Sequence, residues 1–387
     1  MQNFEYCNPT RIVFGKGTIT ELDRLVPAEA RVLLVYGGGS ITRNGVYDQV
    51  KAALGARTVL EFGGIEPNPA YETCMEAVQL ARRENVNFLL AAGGGSVIDG
   101  AKFIAAAVPF TEGDPWLFLE KRGEVIPKAA VPLGVVLTLP ASGSEMNAIA
   151  VISHRGGGEK RAFDAPLLYP RFSILDPEAT FSLPLNQVRN GIVDTFVHVV
   201  EQYLTYPAEA SLQDRQAEAI ILTVLDEGPK TLANPTDYAA RANIVWCATN
   251  AFNRSLSCGV PVDFATHNIG HELTAVYGMA HAESLAVVLA SRWRLQKTAK
   301  QAKLAQFARR VWGVTEPNPA VAAELAITHT LDFFHRLGMP SRLRDYGISA
   351  VEAAEKIAAR LAARRAVFGE HADVTPDKVA AILRMAE

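Results

Sequence analysis

The sequence predicts two domains: an α/β domain over residues 1–184 and an all-helical domain over residues 185–387. Three observations predict this. The chain has 387 residues, more than one hydrophobic core ordinarily serves. Up to Pro184, short β-branched runs alternate with helical stretches, and beyond Pro184 the strand signal all but vanishes. Strand–helix alternation of the first kind implies a parallel sheet covered by helices on both faces.

The elements follow in order. Arg31–Tyr36 (RVLLVY) reads as a buried strand ended by Gly37–Gly39, then comes a helical stretch to about Gly55 and strand-like Thr58–Phe62. Pro67–Asn68–Pro69 forces a turn, and Ala70–Glu84 has helical spacing through Met75, Val78, Leu80 and Ala81. Asn87–Ala92 (NFLLAA) is a second buried strand, again ended by three glycines, with a helix from about Val97. Gly134–Leu139 and Phe172–Leu175 are further strands, and Gly156–Gly158 reads as a hairpin tip between Val151–Ser153 and Arg161–Phe163. After Pro184, helical spacing rich in Ala, Leu, Glu and Arg covers 186–204, 211–233, 237–256, 263–277, 282–296, 300–313, 319–337, 350–366 and 375–386.

Composition excludes several classes. With 49% hydrophobic and 20% charged residues the chain is an ordinary globular protein rather than a disordered one. A net charge of −3 without any Lys/Arg block argues against a nucleic-acid partner. Met1–Thr10 has no apolar core of a secretory signal, and no apolar run approaches the roughly 20 residues that span a bilayer. Cys7, Cys74, Cys247 and Cys258 form no CxxC pair, so free thiols in a reducing cytoplasm are expected, and no thiolate metal site.

Two kinds of motif carry chemistry. A glycine triplet between a buried strand and a helix lets the backbone approach a phosphate, and the helix N-terminus then offers free N–H groups. Gly93–Gly94–Gly95–Ser96 fits this best, with Ser96 as the expected N-cap. The other reading is a tight turn that binds nothing. Neither triplet matches GxGxxG or a P-loop. The second motif lies in the helical half. Asp194 and His198, and later His267 and His271, are each four apart on one helix face, and His281 sits just past Gly278, where the second helix should stop. A carboxylate and imidazoles arriving from several helices suit Zn²⁺ or Fe²⁺. Against this, Gln187, Asn190, Asp194, His198 and Glu201 form one polar stripe, and a polar stripe ordinarily faces solvent. That stripe holds no Lys, and His267–His281 is otherwise apolar and small, which favours a protected place. His271–Glu272 begins an HExxH pattern that fails at Ala275.

Long stretches then match one family. Leu60–Gly64 leading into Ile65–Tyr71 (IEPNPAY), Gly93–Gly100 (GGGSVIDG), Thr138–Glu145 (TLPASGSE), Asp176–Pro177, Gly191–Glu201 (GIVDTFVHVVE) and His267–His281 together resemble the metal-dependent ("iron-containing") alcohol dehydrogenases over essentially the whole chain, closest to their NADPH-dependent aldehyde reductase and butanol dehydrogenase branch. The resemblance implies a dehydroquinate synthase-like architecture, with an α/β dinucleotide-binding domain over residues 1–184, an all-helical metal-binding domain over residues 185–387 and the active site in the cleft between them, and a homodimer acting on a small aldehyde or alcohol. It implies Asp194, His198, His267 and His281 as ligands of one divalent ion, Zn²⁺ favoured and Fe²⁺ possible. It implies cofactor positions at Asn68, Gly94, Gly95, Ser96, Asp99, Thr138, Ser142, Asn147 and Lys160, Ser142 standing where Thr is more usual.

NAD-preferring relatives carry an acidic residue after the first strand. Here Gly38, Gly39 and Ser40 occupy that loop, no carboxylate repels a 2′-phosphate, and NADP(H) is the expected cofactor. The implied reaction is hydride transfer from the nicotinamide to a carbonyl that the metal polarises. His271 is the candidate to deliver the proton, the alternative being a contact to the cofactor. Three other readings are weaker. A lyase like dehydroquinate synthase needs a basic pocket, a metal hydrolase leaves the glycine loops unused, and a non-catalytic binding module needs neither motif.

Overall fold

The structure is a computed structural model that describes Met1–Glu387. Eight strands are β1 (Arg11–Phe14), β2 (Arg31–Tyr36), β3 (Thr58–Phe62), β4 (Phe88–Gly94), β5 (Leu133–Leu139), β6 (Ile149–His154), β7 (Glu159–Asp164) and β8 (Phe172–Leu175). Among them run α1 (Leu22–Leu25), α2 (Ser40–Arg43), α3 (Val46–Leu54), α4 (Tyr71–Arg83), α5 (Gly95–Ala107) and α6 (Leu117–Glu120). Nine helices follow: α7 (Leu185–Tyr203), α8 (Ser211–Ala233), α9 (Tyr238–Ala251), α10 (Ala265–Tyr277), α11 (His281–Leu295), α12 (Gln301–Arg310), α13 (Pro319–Arg336), α14 (Ala350–Ala363) and α15 (Pro376–Met385). No helix is long and apolar enough to cross a membrane.

The chain divides into two compact units. One comprises Cys7–Pro184 with Asn234–Thr249, the other Met1–Tyr6, Leu185–Ala233 and Asn250–Glu387. The first holds a six-stranded, wholly parallel sheet in the order β1-β8-β5-β4-β2-β3. Period-2 alternation sends Leu33, Val35, Leu89, Ala91 and Val135 to one core, with Ile98 and Ile104 of α5, and Val32, Leu34, Leu90, Val136 and Ile174 to the other, with Val50 and Leu54 of α3. This two-faced burial is why the strands read as continuous apolar runs. β6 and β7 form an antiparallel hairpin whose tip carries Gly156–Gly158. Val245 of α9 joins the apolar core of this unit.

The second unit is helical. Every residue of α7 from Gly191 to Tyr203 is buried, including Asp194, His198 and Glu201 of the polar stripe, while Gln187 and Asn190 are half-buried. Phe196 on its apolar side packs against Phe307, Phe333 and Phe334. α10, α11, α14 and α15 share a core through Ile269, Leu273, Val287, Ile357 and Leu383.

Three differences from the sequence reading have physical causes. β1 is a four-residue edge strand on β8, too short to stand out as an apolar run. β4 extends through Gly94, so the glycines are partly strand rather than loop. Ser96 is not the N-cap: Gly94 holds that position, and the Ser96 hydroxyl instead accepts the Asn68 N–H at 3.3 Å.

Candidate functional site

In the helical unit, α7 supplies Asp194 and His198 one turn apart, α10 supplies His267, and α11 begins with His281. Gly278, at φ 70°, ends α10 in the left-handed region, which lets the chain reverse within three residues. The result is compact. Ligand atoms of Asp194, His267 and His281 lie within 4.8 Å of one another. Asp194 Oδ1 is 3.7 Å from His281 Nε2 and 3.8 Å from His267 Nε2.

His198 packs beside this trio, its ring 4.3 Å from that of His267 and stacked on Phe252. Its Nδ1 donates to the Asp194 carbonyl at 2.9 Å, leaving Nε2 as the acceptor nitrogen. His271 lies one turn beyond His267, half-buried, with its ring 5.3 Å from that of His281.

Asp194 Oδ1 and His267 Nε2 are fully buried and accept or donate no hydrogen bond, Oδ1 having an ion-pair contact to His198 Nδ1 at 3.2 Å. Each such atom costs about 1–3 kcal/mol of lost solvation. Two of them aimed into one pocket of carboxylate and imidazole donors are what a bound cation would satisfy, so the residues fit a divalent metal. Burial alone would push the Asp194 carboxyl up, but the His198 imidazole, with His267 and His281, outweighs it and holds the group well below the carboxylate range. Burial likewise lowers His267, while the Glu201 and Asp194 carboxylates raise it to about 9 in the metal-free protein.

Glu201 is a residue the sequence reading passed over. It is fully buried, its Oε1 accepts the Thr266 N–H at 2.7 Å, and its Oε2 accepts the His267 N–H at 3.2 Å and contacts the His267 Nδ1. The available signal was its place seven residues after Asp194 on the Lys-free stripe. Nearby, buried Asp263 pairs with Arg292 and Lys300, and Lys300 with Glu370 at 2.9 Å.

The α/β unit carries the other predicted residues. Gly38 and Ser40 are exposed, Gly39 sits at φ 83° just before α2, and a Cβ on Gly38 would meet nothing within 4 Å. That backbone is open to a ligand. Gly94 and Gly95 are tight against the protein itself. A Cβ on Gly95 would lie 2.3 Å from Ser142 Oγ, and one on Gly94 2.9 Å from Leu139 Cβ. Glycine is therefore required there by the approach of the chain after β5, whatever binds.

Asn68, at φ 59°, accepts the Lys160 ammonium at 2.8 Å. Thr138 is buried in β5. Asp99 accepts the Ser144 hydroxyl at 2.6 Å and the Val151 N–H at 3.0 Å. Asn147 donates to Gly143 O at 2.9 Å and accepts the Ile149 N–H at 2.9 Å. Asp99 and Asn147 thus spend their side-chain bonds shaping the 142–147 loop.

Lys102, also absent from the sequence reading, completes this network. It is fully buried and donates to Ser144 Oγ at 2.7 Å, Ile149 O at 2.8 Å and Asn147 Oδ1 at 3.0 Å. Its signal was a lone lysine in the apolar run Val97–Ala107. Burial pushes the Asp99 carboxyl up, and the Lys102 ammonium pulls against that shift.

Comparison with known proteins decides the lineage. Residues 9–177 match the family described as iron-containing alcohol dehydrogenase, and residues 189–387 match the C-terminal region of the Fe-containing alcohol dehydrogenase family. The chain belongs to the iron-containing alcohol dehydrogenase family. Within it, the chain is 54% identical over 349 residues to the NADPH-dependent aldehyde reductase YqhD of Escherichia coli (strain K12), covering 90% of each protein. It is 41% identical to NADP-dependent alcohol dehydrogenase 3 of Entamoeba histolytica, covering 97% of this chain and 96% of that one. Among solved structures, the E. coli K-12 YqhD crystal structure superposes with a TM-score of 0.98 at 50% identity, covering 100% of this chain and 99% of that one. The iron-containing alcohol dehydrogenase fold thus extends over both units of this chain.

Proposed function

We propose that this protein is an NADP(H)-dependent alcohol dehydrogenase that works as an aldehyde reductase, with one divalent ion held by Asp194, His198, His267 and His281. The observation that carries the reading is the buried trio Asp194, His267 and His281, with Asp194 Oδ1 and His267 Nε2 unpartnered, in a chain of this family. The NADPH- and NADP-dependent relatives support the cofactor. In this reading residues 1–184 serve the cofactor and residues 185–387 the metal.

When bound, the cation supplies Lewis-acid polarisation of a carbonyl oxygen and the nicotinamide supplies hydride. The chain's own residues hold and orient. Asp194 brings the one anionic donor, which lowers the charge of the site, and the imidazoles bring neutral nitrogen donors. Zn²⁺ is the ion proposed, and metal analysis of the purified protein separates it from Fe²⁺. Gly38, Gly39 and Ser40 would take the 2′-phosphate end of the cofactor, since the loop offers open backbone and no carboxylate. Gly94, Gly95, Ser96 and Ser142 would line the pyrophosphate path at the start of α5, with Asn68, Thr138 and Lys160 beside it and Asp99 and Asn147 bracing the loop. His271 would deliver the proton that the product oxygen needs, from its half-buried place one turn past His267. A homodimer in the cytoplasm is the proposed setting, resting on the family resemblance and on four free cysteines.

The test is NADPH oxidation by metal-replete protein over short and medium-chain aldehydes. Turnover with NADPH, at a higher kcat/KM than with NADH, is expected. Absence of net NADPH oxidation with every aldehyde would overturn the reading. Replacing His271 by Ala should flatten the pH dependence of turnover, and an unchanged rate across pH would remove its proton-transfer role.

A further inference from the structure

We propose that Glu201 is a positioning residue for His267: by accepting the Nδ1 proton it fixes the ring's tautomer and rotation, so that Nε2 alone faces the metal. This rests on the metal-ligand reading of Asp194, His267 and His281 given above.

The start of α10 lacks a capping side chain of its own. Its N-cap, Phe264, is in the left-handed region at φ 51° and offers no capping side chain. The first N–H groups of a helix need partners from elsewhere. Asp263 Oδ1 takes that of Ala265 at 3.1 Å. Glu201, reaching across from α7, takes those of Thr266 and His267 at 2.7 and 3.2 Å. A carboxylate has about four acceptor positions. With two used on the backbone, the Oε2 atom that caps the His267 N–H is also the one against its Nδ1.

That geometry has a chemical consequence. A carboxylate only accepts, so the Nδ1 facing it keeps its proton, and Nε2 is the nitrogen left to give its lone pair to a cation. Nε2 is the buried atom that lacks a hydrogen-bond partner and lies 3.8 Å from Asp194 Oδ1. Asp194 and Glu201 stand seven residues apart, two turns along one stripe of α7, so Glu201 holds Nδ1 of the imidazole while Asp194 lies on its Nε2 side. The polar stripe is therefore turned inward because it both ligates and orients. Outer partners of metal-bound histidines commonly govern metal affinity by about 10- to 100-fold.

The experiment measures the Zn²⁺ dissociation constant by competition with a chelator, on full-length protein. Wild type should bind one ion, and Glu201→Gln should bind it about 10- to 100-fold more weakly. The Gln amide still caps the helix but cannot serve all three donors. In a His267→Gln background the same Glu201→Gln change should cost less than about twofold, because a role exerted through the imidazole disappears with it. Equal losses in both backgrounds, or a Glu201→Gln constant within twofold of wild type, would overturn the proposal while leaving the metal site standing. Failure of wild type to bind any divalent ion would instead overturn the metal reading and this inference with it. Should Glu201→Gln not fold, ¹⁵N-histidine spectra of zinc-loaded wild type decide: a protonated Nδ1 and metal-bound Nε2 on His267 support the proposal, and the reverse assignment refutes it.

Discussion

Replacing Lys102 by Met probes the 142–147 loop, which the proposed function places beside the cofactor. The substitution keeps the buried stem of the side chain and removes its charge. Three acceptors lose a donor: Ser144 Oγ, Asn147 Oδ1 and Ile149 O. Ser144 still donates to Asp99, and Asn147 Oδ1 still accepts the Ile149 N–H, so those two groups are not orphaned. The larger loss falls on Ile149 O and on Asp99, whose desolvated carboxyl is offset by the Lys102 charge. Removing one partner of a buried charged network costs about 3–5 kcal/mol. At roughly 2–4 °C per kcal/mol for a unit of this size, Tm should fall by roughly 6–20 °C. Scanning calorimetry reads this, with Lys128→Met as control, since that lysine is 79% exposed beside an exposed Glu112. The KM for NADPH should rise as well, because Ser142–Asn147 loses its brace. A Lys102→Met Tm within about 2 °C of wild type would refute the reasoning, since a satisfied buried ammonium cannot be removed so cheaply.

Three further outcomes are expected at the loop after β2 and at His267. Gly39→Asp places a carboxylate after β2 where the added Cβ meets only Thr42 Oγ1 at 3.7 Å, at a left-handed φ of 83° that Asp adopts with some strain, so stability should fall slightly while the NADPH-over-NADH ratio of kcat/KM drops about tenfold or more, and an unchanged ratio would remove Gly39 from cofactor choice. In metal-free protein the His267 imidazole titrates near 9, above its ordinary 6.5, and a cation must displace that proton. Apparent metal affinity should therefore rise about tenfold from pH 7 to pH 8 and level off above 9. The same proton stabilises the metal-free fold fully below pH 6.5 and less as pH rises through 9, so thermal scans of stripped protein should show this contribution declining over that window.

Much of the fold is legible because burial on both sheet faces leaves continuous runs such as Arg31–Tyr36, and because helices such as α8 keep a 3.6-residue period. Where the pattern fails, tertiary neighbours decide. β1 exists only because β8 pairs with it. Ser96 looks like a cap until Asn68 claims its hydroxyl. The α7 stripe looks solvent-facing because amphipathicity cannot distinguish water from a buried polar site. Helix spacing pairs Asp194 with His198 and His267 with His271, yet the tight trio draws in His281 from across the Gly278 break, a relation no within-helix period contains. Glu201 and Lys102 are single charged residues whose meaning lies in hydrogen bonds to segments 65 and 42 to 47 residues away.

In the proposed function, one divalent ion on Asp194, His198, His267 and His281 is required for NADPH-linked aldehyde reduction. The most direct measurement is aldehyde-dependent NADPH oxidation by chelator-stripped protein, before and after one equivalent of Zn²⁺ is returned. Loss of turnover on stripping and recovery on return are expected in wild type, with no recovery in His281→Ala. Full turnover by protein shown to contain no metal would contradict it.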